Sequence, residues 1–102
     1  MKILLACVAG MSTSLLVEKM KKEANKRSIK DVVIKAVPVE EIKSVIDDFD
    51  VVLLGPQARF KEKMVSKICS EKNKKYCIIP YQIYGLVDGA KALNLALSLI
   101  GK

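Results

Sequence analysis

The chain has 102 residues, 51% of them apolar, and its 18 basic and 11 acidic side chains leave a net charge of +7. That length predicts a single domain over residues 1–102 with one hydrophobic core, and no apolar run approaches the roughly 18 residues needed to cross a bilayer. There is no histidine, which removes serine–histidine and cysteine–histidine catalysis, histidine metal motifs and a phosphohistidine carried by this chain.

In chain order, "KILLA" (Lys2 to Ala6) predicts a first strand that runs directly into Cys7. Small and hydroxylic residues follow, and Leu16, Met20 and Ala24 then recur at intervals of four, the mark of a helix. "VVIKAV" (Val32 to Val37) predicts a second strand. Pro38 and "VEEIKSVIDDF" predict a shorter helix with Ile42, Val45, Ile46 and Phe49 inward and acidic residues in its first turn. "VVLLG" (Val51 to Gly55) predicts a third strand. Phe60, Met64 and Ile68, with Val65 and Cys69 alongside, predict another helix. "YCIIP" (Tyr76 to Pro80) predicts the fourth strand, and a last helix from about Asp88 to Ile100 offers Ala90, Leu93, Leu97 and Ile100 for packing. Strands this rich in Val, Ile and Leu, alternating with amphipathic segments, predict an α/β fold: a four-stranded parallel open sheet with helices on both faces.

The lysines are scattered over the predicted helix faces and only five residues are aromatic. A solvated lysine-rich surface is therefore favoured over a nucleic-acid footprint, and no nucleic-acid partner is expected. Cys7, Cys69 and Cys77 are an odd number without metal-ligand or redox spacing. They predict a reducing cytoplasm, with no metal and no cofactor. "LLAC" (Leu4 to Cys7) has the form of a lipoprotein cleavage site, but the residues before it are too few for the apolar core of a signal peptide.

In an open parallel sheet, ligands gather beyond the carboxyl ends of the strands, which is where Cys7 falls. The segment after it, Val8, Ala9, Gly10, Met11, Ser12, Thr13 and Ser14, supplies a glycine for a close turn and three hydroxyls suited to capping a helix. Successive amides at a helix N-terminus form an anion nest for a phosphoryl group, and such a terminus favours thiolate over thiol. The alternative is a small buried cysteine ending a strand. Cys69 and Cys77 lack these surroundings and are assigned to the core. The nucleotide-binding patterns G-x-x-x-x-G-K-[ST] and G-x-G-x-x-G are absent, so a single phosphoryl group is the better-sized ligand.

Two phosphoryl chemistries fit. A cysteine phosphatase loop has an arginine six residues after the nucleophile, where this chain has Thr13. Losing such a transition-state donor typically costs about 10²–10³ in rate. A phosphocysteine formed here would hydrolyse slowly, which suits a carrier. A low-molecular-weight phosphatase-like hydrolase is the alternative, and an anion-binding module with an inert Cys7 is a third reading.

"CVAGMSTSLLVEKM" (Cys7 to Met20), "DVVLLGPQ" (Asp50 to Gln57) and "YGLVDG" (Tyr84 to Gly89) resemble the enzyme IIB components of the bacterial phosphoenolpyruvate-dependent sugar phosphotransferase system, in the lactose and cellobiose/chitobiose branch. The resemblance covers nearly the whole chain. It implies a fold similar to low-molecular-weight phosphotyrosine phosphatases and a phosphoryl group held by the amides of Val8 to Ser14. It also implies that Cys7 is phosphorylated by a histidine of an enzyme IIA and delivers the group to a disaccharide bound by a membrane enzyme IIC. The protein would then be cytoplasmic, peripheral to the inner face of the membrane through IIC. Gln57 and Tyr84 match positions on loops flanking the site; each is read either as part of its rim or as a turn amide and a packing aromatic. Ala58, Arg59 and the abundant lysine depart from the family pattern and bear on partner preference. The positive charge would steer docking in a salt-sensitive way.

Overall fold

A computed structural model describes residues 1–8 and 11–101, and of Met11 and Ser12 the backbone alone. β1 (Lys2–Cys7), β2 (Val33–Pro38), β3 (Val51–Leu54) and β4 (Lys75–Ile78) form one parallel sheet in the order β2-β1-β3-β4. Ile3 pairs with Ile34 on one side and Val51 on the other, and Val51 in turn with Lys75. β1 and β3 are central, and every residue of β3 is buried. Their unbroken apolar runs follow from being covered on both faces.

Side chains alternate across the sheet. Ile3, Leu5, Ile34, Val51 and Leu53 point to one face, where α1 (Met11–Lys26) and α5 (Gly89–Ile100) pack with Leu16, Met20, Ala92, Leu93 and Ala96. Leu4, Ala6, Val52 and Leu54 point to the other, covered by α2 (Ile42–Val45) and α3 (Glu62–Glu71) through Ile42, Val65 and Cys69. This is the doubly wound arrangement expected from the sequence.

The helices differ from their sequence reading in detail. The segment after β2 is one α-turn, α2, between two 3₁₀ turns, Val39–Glu41 and Ile46–Asp48. Ile42, Ile46 and Phe49 are buried as expected. Asp47 and Asp48 fall at the end of the segment, where acidic charge opposes the helix dipole and favours early termination. Phe60 is 71% exposed rather than on the packing stripe of α3. It belongs to a 3₁₀ turn, Pro56–Lys61, whose tighter winding shifts its phase against the α-helix that follows and buries Ala58 instead. In α5 the buried residues are Gly89, Ala92, Leu93 and Ala96, while Ile100 is exposed. A short helix, α4 (Tyr81–Gly85), follows β4 and had no counterpart in the sequence reading. Cys69 is buried and Cys77 half-buried against the α1–α5 cluster.

Candidate functional site

The chain leaves β1 towards β2 on one side of the sheet and returns to β3 on the other, so the strand order reverses between β1 and β3. That reversal opens the crevice where open α/β sheets bind ligands. Cys7 ends β1 at this place and is 2% exposed. Gly55, the residue after β3, donates its amide to the Ala6 carbonyl at 2.7 Å. A Cβ at Gly55 would sit 3.4 Å from the Cys7 Cβ. The glycine thus keeps the flank of the cysteine clear.

Of the segment expected to cradle an anion, Ala9, Gly10 and the side chains of Met11 and Ser12 lie outside the described residues. Val8 is 39% exposed and Ser14 is exposed. Thr13, two residues into α1, is 1% exposed. Its Oγ1 lies 2.9 Å from the Tyr84 hydroxyl, a buried hydrogen bond between residues 71 apart in sequence. Tyr84 itself is 8% exposed, with its ring in the α1–α5 cluster. The structure therefore joins two of the sequence-predicted residues, Thr13 and Tyr84, while Gln57 stands exposed on the turn after β3.

Tyr84 is carried by α4, and a tight corner leads from there into α5. Val87 and Asp88 donate their amides to the carbonyls of Tyr84 and Ile83. The Asp88 carboxylate caps α5 by accepting from the Lys91 amide at 3.0 Å. Val87 has φ of 51°, left-handed backbone that a β-branched residue rarely adopts, at a cost of about 1–3 kcal/mol. Such a conformation persists only where the surroundings fix it.

Several exposed apolar side chains come from loops or first turns at the same carboxyl edge: Val8, Leu15, Phe60, Tyr81 and Leu86, the last 79% exposed. No guanidinium stands in the described part of the Cys7 segment. Arg27 lies at the far end of α1, where it donates to Glu23 and to Asn94, and Arg59 is exposed on the turn after β3. The other thiols are placed differently. Burial pushes the thiols of Cys69 and Cys77 up from their ordinary range. Tyr76 is also held up, first because its hydroxyl donates to the Glu62 carboxylate at 2.9 Å and then by burial. Cys69 and Tyr76 lie on the α3 face of the sheet and Cys77 on the α1–α5 face. Among the described residues no helix is long and apolar enough to cross a membrane.

The model of the family described as "PTS system, Lactose/Cellobiose specific IIB subunit" matches residues 2–95. The chain is 42% identical over 99 residues to the oligo-beta-mannoside-specific EIIB component of Bacillus subtilis (strain 168), covering 97% of this chain and 95% of that one. Its fold superposes on the solution structure of the cellobiose-specific IIB component of Borrelia burgdorferi with a TM-score of 0.82 at 42% identity, over 98% and 91% of the two chains. The lactose-specific IIB domain of Streptococcus pneumoniae, at 17% identity, shares the fold with a TM-score of 0.85 over 97% and 96% of the chains.

Proposed function

The chain belongs to the lactose/cellobiose-specific IIB family of the PTS, a family of sugar phosphotransferase components, and from that premise we propose that it carries a phosphoryl group on Cys7. The supporting observation is the position of Cys7: it ends a central strand at the reversal of strand order, with Gly55 leaving its flank clear. The Cys7 Sγ attacks the phosphorus of a phosphohistidine on an enzyme IIA in line. The S–P bond forms as the N–P bond breaks, and the thiol proton goes to the departing imidazole. The amides of residues 8–14 hold the phosphoryl oxygens, as a nest at a helix N-terminus does. A hydroxyl of a disaccharide of the cellobiose or chitobiose type, bound by a membrane IIC, then attacks the phosphorus; the O–P bond forms as the S–P bond breaks, and the hydroxyl proton goes to the departing cysteine sulfur. The protein works at the inner face of the membrane through that partner. The chain has no histidine, which fits a donor imidazole supplied by the partner.

The exposed Val8, Leu15, Phe60, Tyr81 and Leu86 at the carboxyl edge give a protein partner apolar anchors around the reacting atom. Without a guanidinium in the segment, hydrolysis has no strong transition-state donor, and transfer to a positioned acceptor wins.

The test is the intact mass after incubation with a phosphoenolpyruvate-charged IIA. Wild type should gain one phosphoryl group and Cys7→Ser none, because the chain has no histidine to activate a hydroxyl. Phosphorylation of the serine variant would move the site elsewhere. Steady turnover of an aryl phosphate by wild type would replace the carrier with a hydrolase.

A further inference from the structure

We propose that Tyr84 is a positioning residue for the first turn of α1, acting through the Thr13 hydroxyl; this rests on the carrier reading above. The observation is the buried 2.9 Å bond between Thr13 Oγ1 and the Tyr84 hydroxyl. Thr13 lies in the first turn of α1, and the free amides of a helix's first turn are the groups that bind anions. A buried hydroxyl without a partner is costly, so the pair fixes both side chains. Fixing Thr13 fixes the direction in which that first turn points.

The anchor at the other end of the bond is itself immobilised. Tyr84 lies four residues before Asp88, and the corner between them is closed by the Val87 and Asp88 amides and by the Asp88 cap. One residue later the corner is pressed onto α1: a Cβ at Gly89 would fall 2.5 Å from the Lys19 carbonyl carbon. Just after α1, Arg27 donates to Asn94 and to the Ala90 carbonyl in the first half of α5. α4 and α5 thus hold α1 at its first turn, at its middle and just beyond its end. Val87 keeps its left-handed φ inside this arrangement, as strained backbone does where the surroundings over-determine it. The bond is also reversible in sense, since either oxygen can be the donor. An anion accepts only, so a phosphoryl group in the segment favours Tyr84 donating and leaves the Thr13 proton for the anion side.

The role is positioning, because Tyr84 is 8% exposed and offers no surface for a partner to grip. Single-turnover transfer from charged IIA, measured at several IIA concentrations, separates rate from docking. Tyr84→Phe keeps the buried ring and should lower the saturated transfer rate about three- to tenfold, the scale of one hydrogen bond, with the half-saturating IIA concentration unchanged. Thr13→Val should do the same, the double variant should be no slower than either single one, and Thr13→Ser should recover most of the rate. Wild-type rates in Tyr84→Phe, additive losses, or a change confined to half-saturation would each overturn the proposal. Amide hydrogen exchange of residues 11–15 is read in parallel without any partner. Faster exchange there in Tyr84→Phe, with the β3 and β4 amides unchanged, is expected, and unchanged exchange overturns the role. If wild type takes no phosphoryl group at all, the carrier reading fails, and the exchange measurement still decides the positioning role.

Discussion

At Gly89 a missing methyl group sets the distance between two helices. Its Cβ would meet the Lys19 backbone at 2.5 Å, closer than side chains tolerate, whereas a Cβ at Gly85, four residues earlier, would meet nothing within 4 Å. Gly89→Ala should therefore force α5 away from α1 and cost about 1–3 kcal/mol, the range of an overpacked core. Gly85→Ala, at an ordinary φ, should be neutral or stabilise by up to about 1 kcal/mol through the unfolded chain. Urea unfolding of the two variants checks this, and equal stabilities would show that the helices can part without loss. The same residues mark what a sequence can say at this scale. Cys7 stands out because a strand, a thiol and a hydroxyl cluster follow one another along the chain. The partnership of Thr13 with Tyr84 spans 71 positions, and only the fold brings it to view.

The strands were legible as elements because burial on both faces leaves them no polar alternation to hide in; β1 and β3 are apolar from end to end apart from the exposed Lys2. The helices were legible in number more than in facing. Reading α5 by its leucines finds Leu93 and Leu97 but misses the rest of the seam, since close approach to α1 selects Gly89, Ala92 and Ala96, and small residues carry little hydrophobic signal. Phe60 misleads in the opposite way, as a large apolar residue on a 3₁₀ turn that leaves it in solvent. α4 is five residues long, too short for a period to show. The α3–β4 unit also has its own pH behaviour. Cys69 and Cys77 are both raised by burial above the ordinary 9.0, and Tyr76 is raised above 10.0 by its bond to Glu62 and by burial. In the unfolded chain these groups ionise first, so above about pH 9 the unfolded state binds fewer protons and stability falls as pH rises. Their contribution is complete below pH 9 and drains away on the alkaline side. A melting-temperature profile from about pH 7 to 10.5 should therefore decline at its upper end. Cys69→Ala combined with Cys77→Ala should flatten the decline while lowering stability at every pH; an unchanged slope would assign the alkaline loss to other groups.

Over the whole molecule the net charge of +7 is unevenly placed. The loops at the carboxyl edge carry both signs: Glu40 and Glu41 after β2, Arg59 and Lys61 after β3, and Asp88 before α5. The segment from Val8 to Ser14 has no charged side chain. The surplus of lysine is instead on α1, with Lys19, Lys21, Lys22 and Lys26, and on or just after α3, with Lys63, Lys67, Lys72 and Lys74. What the edge does present is apolar, in Phe60, Tyr81 and Leu86, and apolar contacts are indifferent to screening. Helix N-termini add a short-range positive potential there, since α1, α3 and α5 all begin at that edge. Raising ionic strength from about 0.05 to 0.5 M shortens the Debye length from roughly 14 to roughly 4 Å, enough to erase steering by lysines on distant faces. Association with a charged IIA driven mainly by the edge should then slow by less than about threefold over that range, a weaker salt dependence than the net charge alone leads one to expect, where strongly steered pairs lose far more. Stopped-flow association rates against salt concentration measure the slope. A steep one would place the lysine faces of α1 and α3 inside the docking geometry, and Lys63→Gln with Lys67→Gln would then show which helix the partner meets.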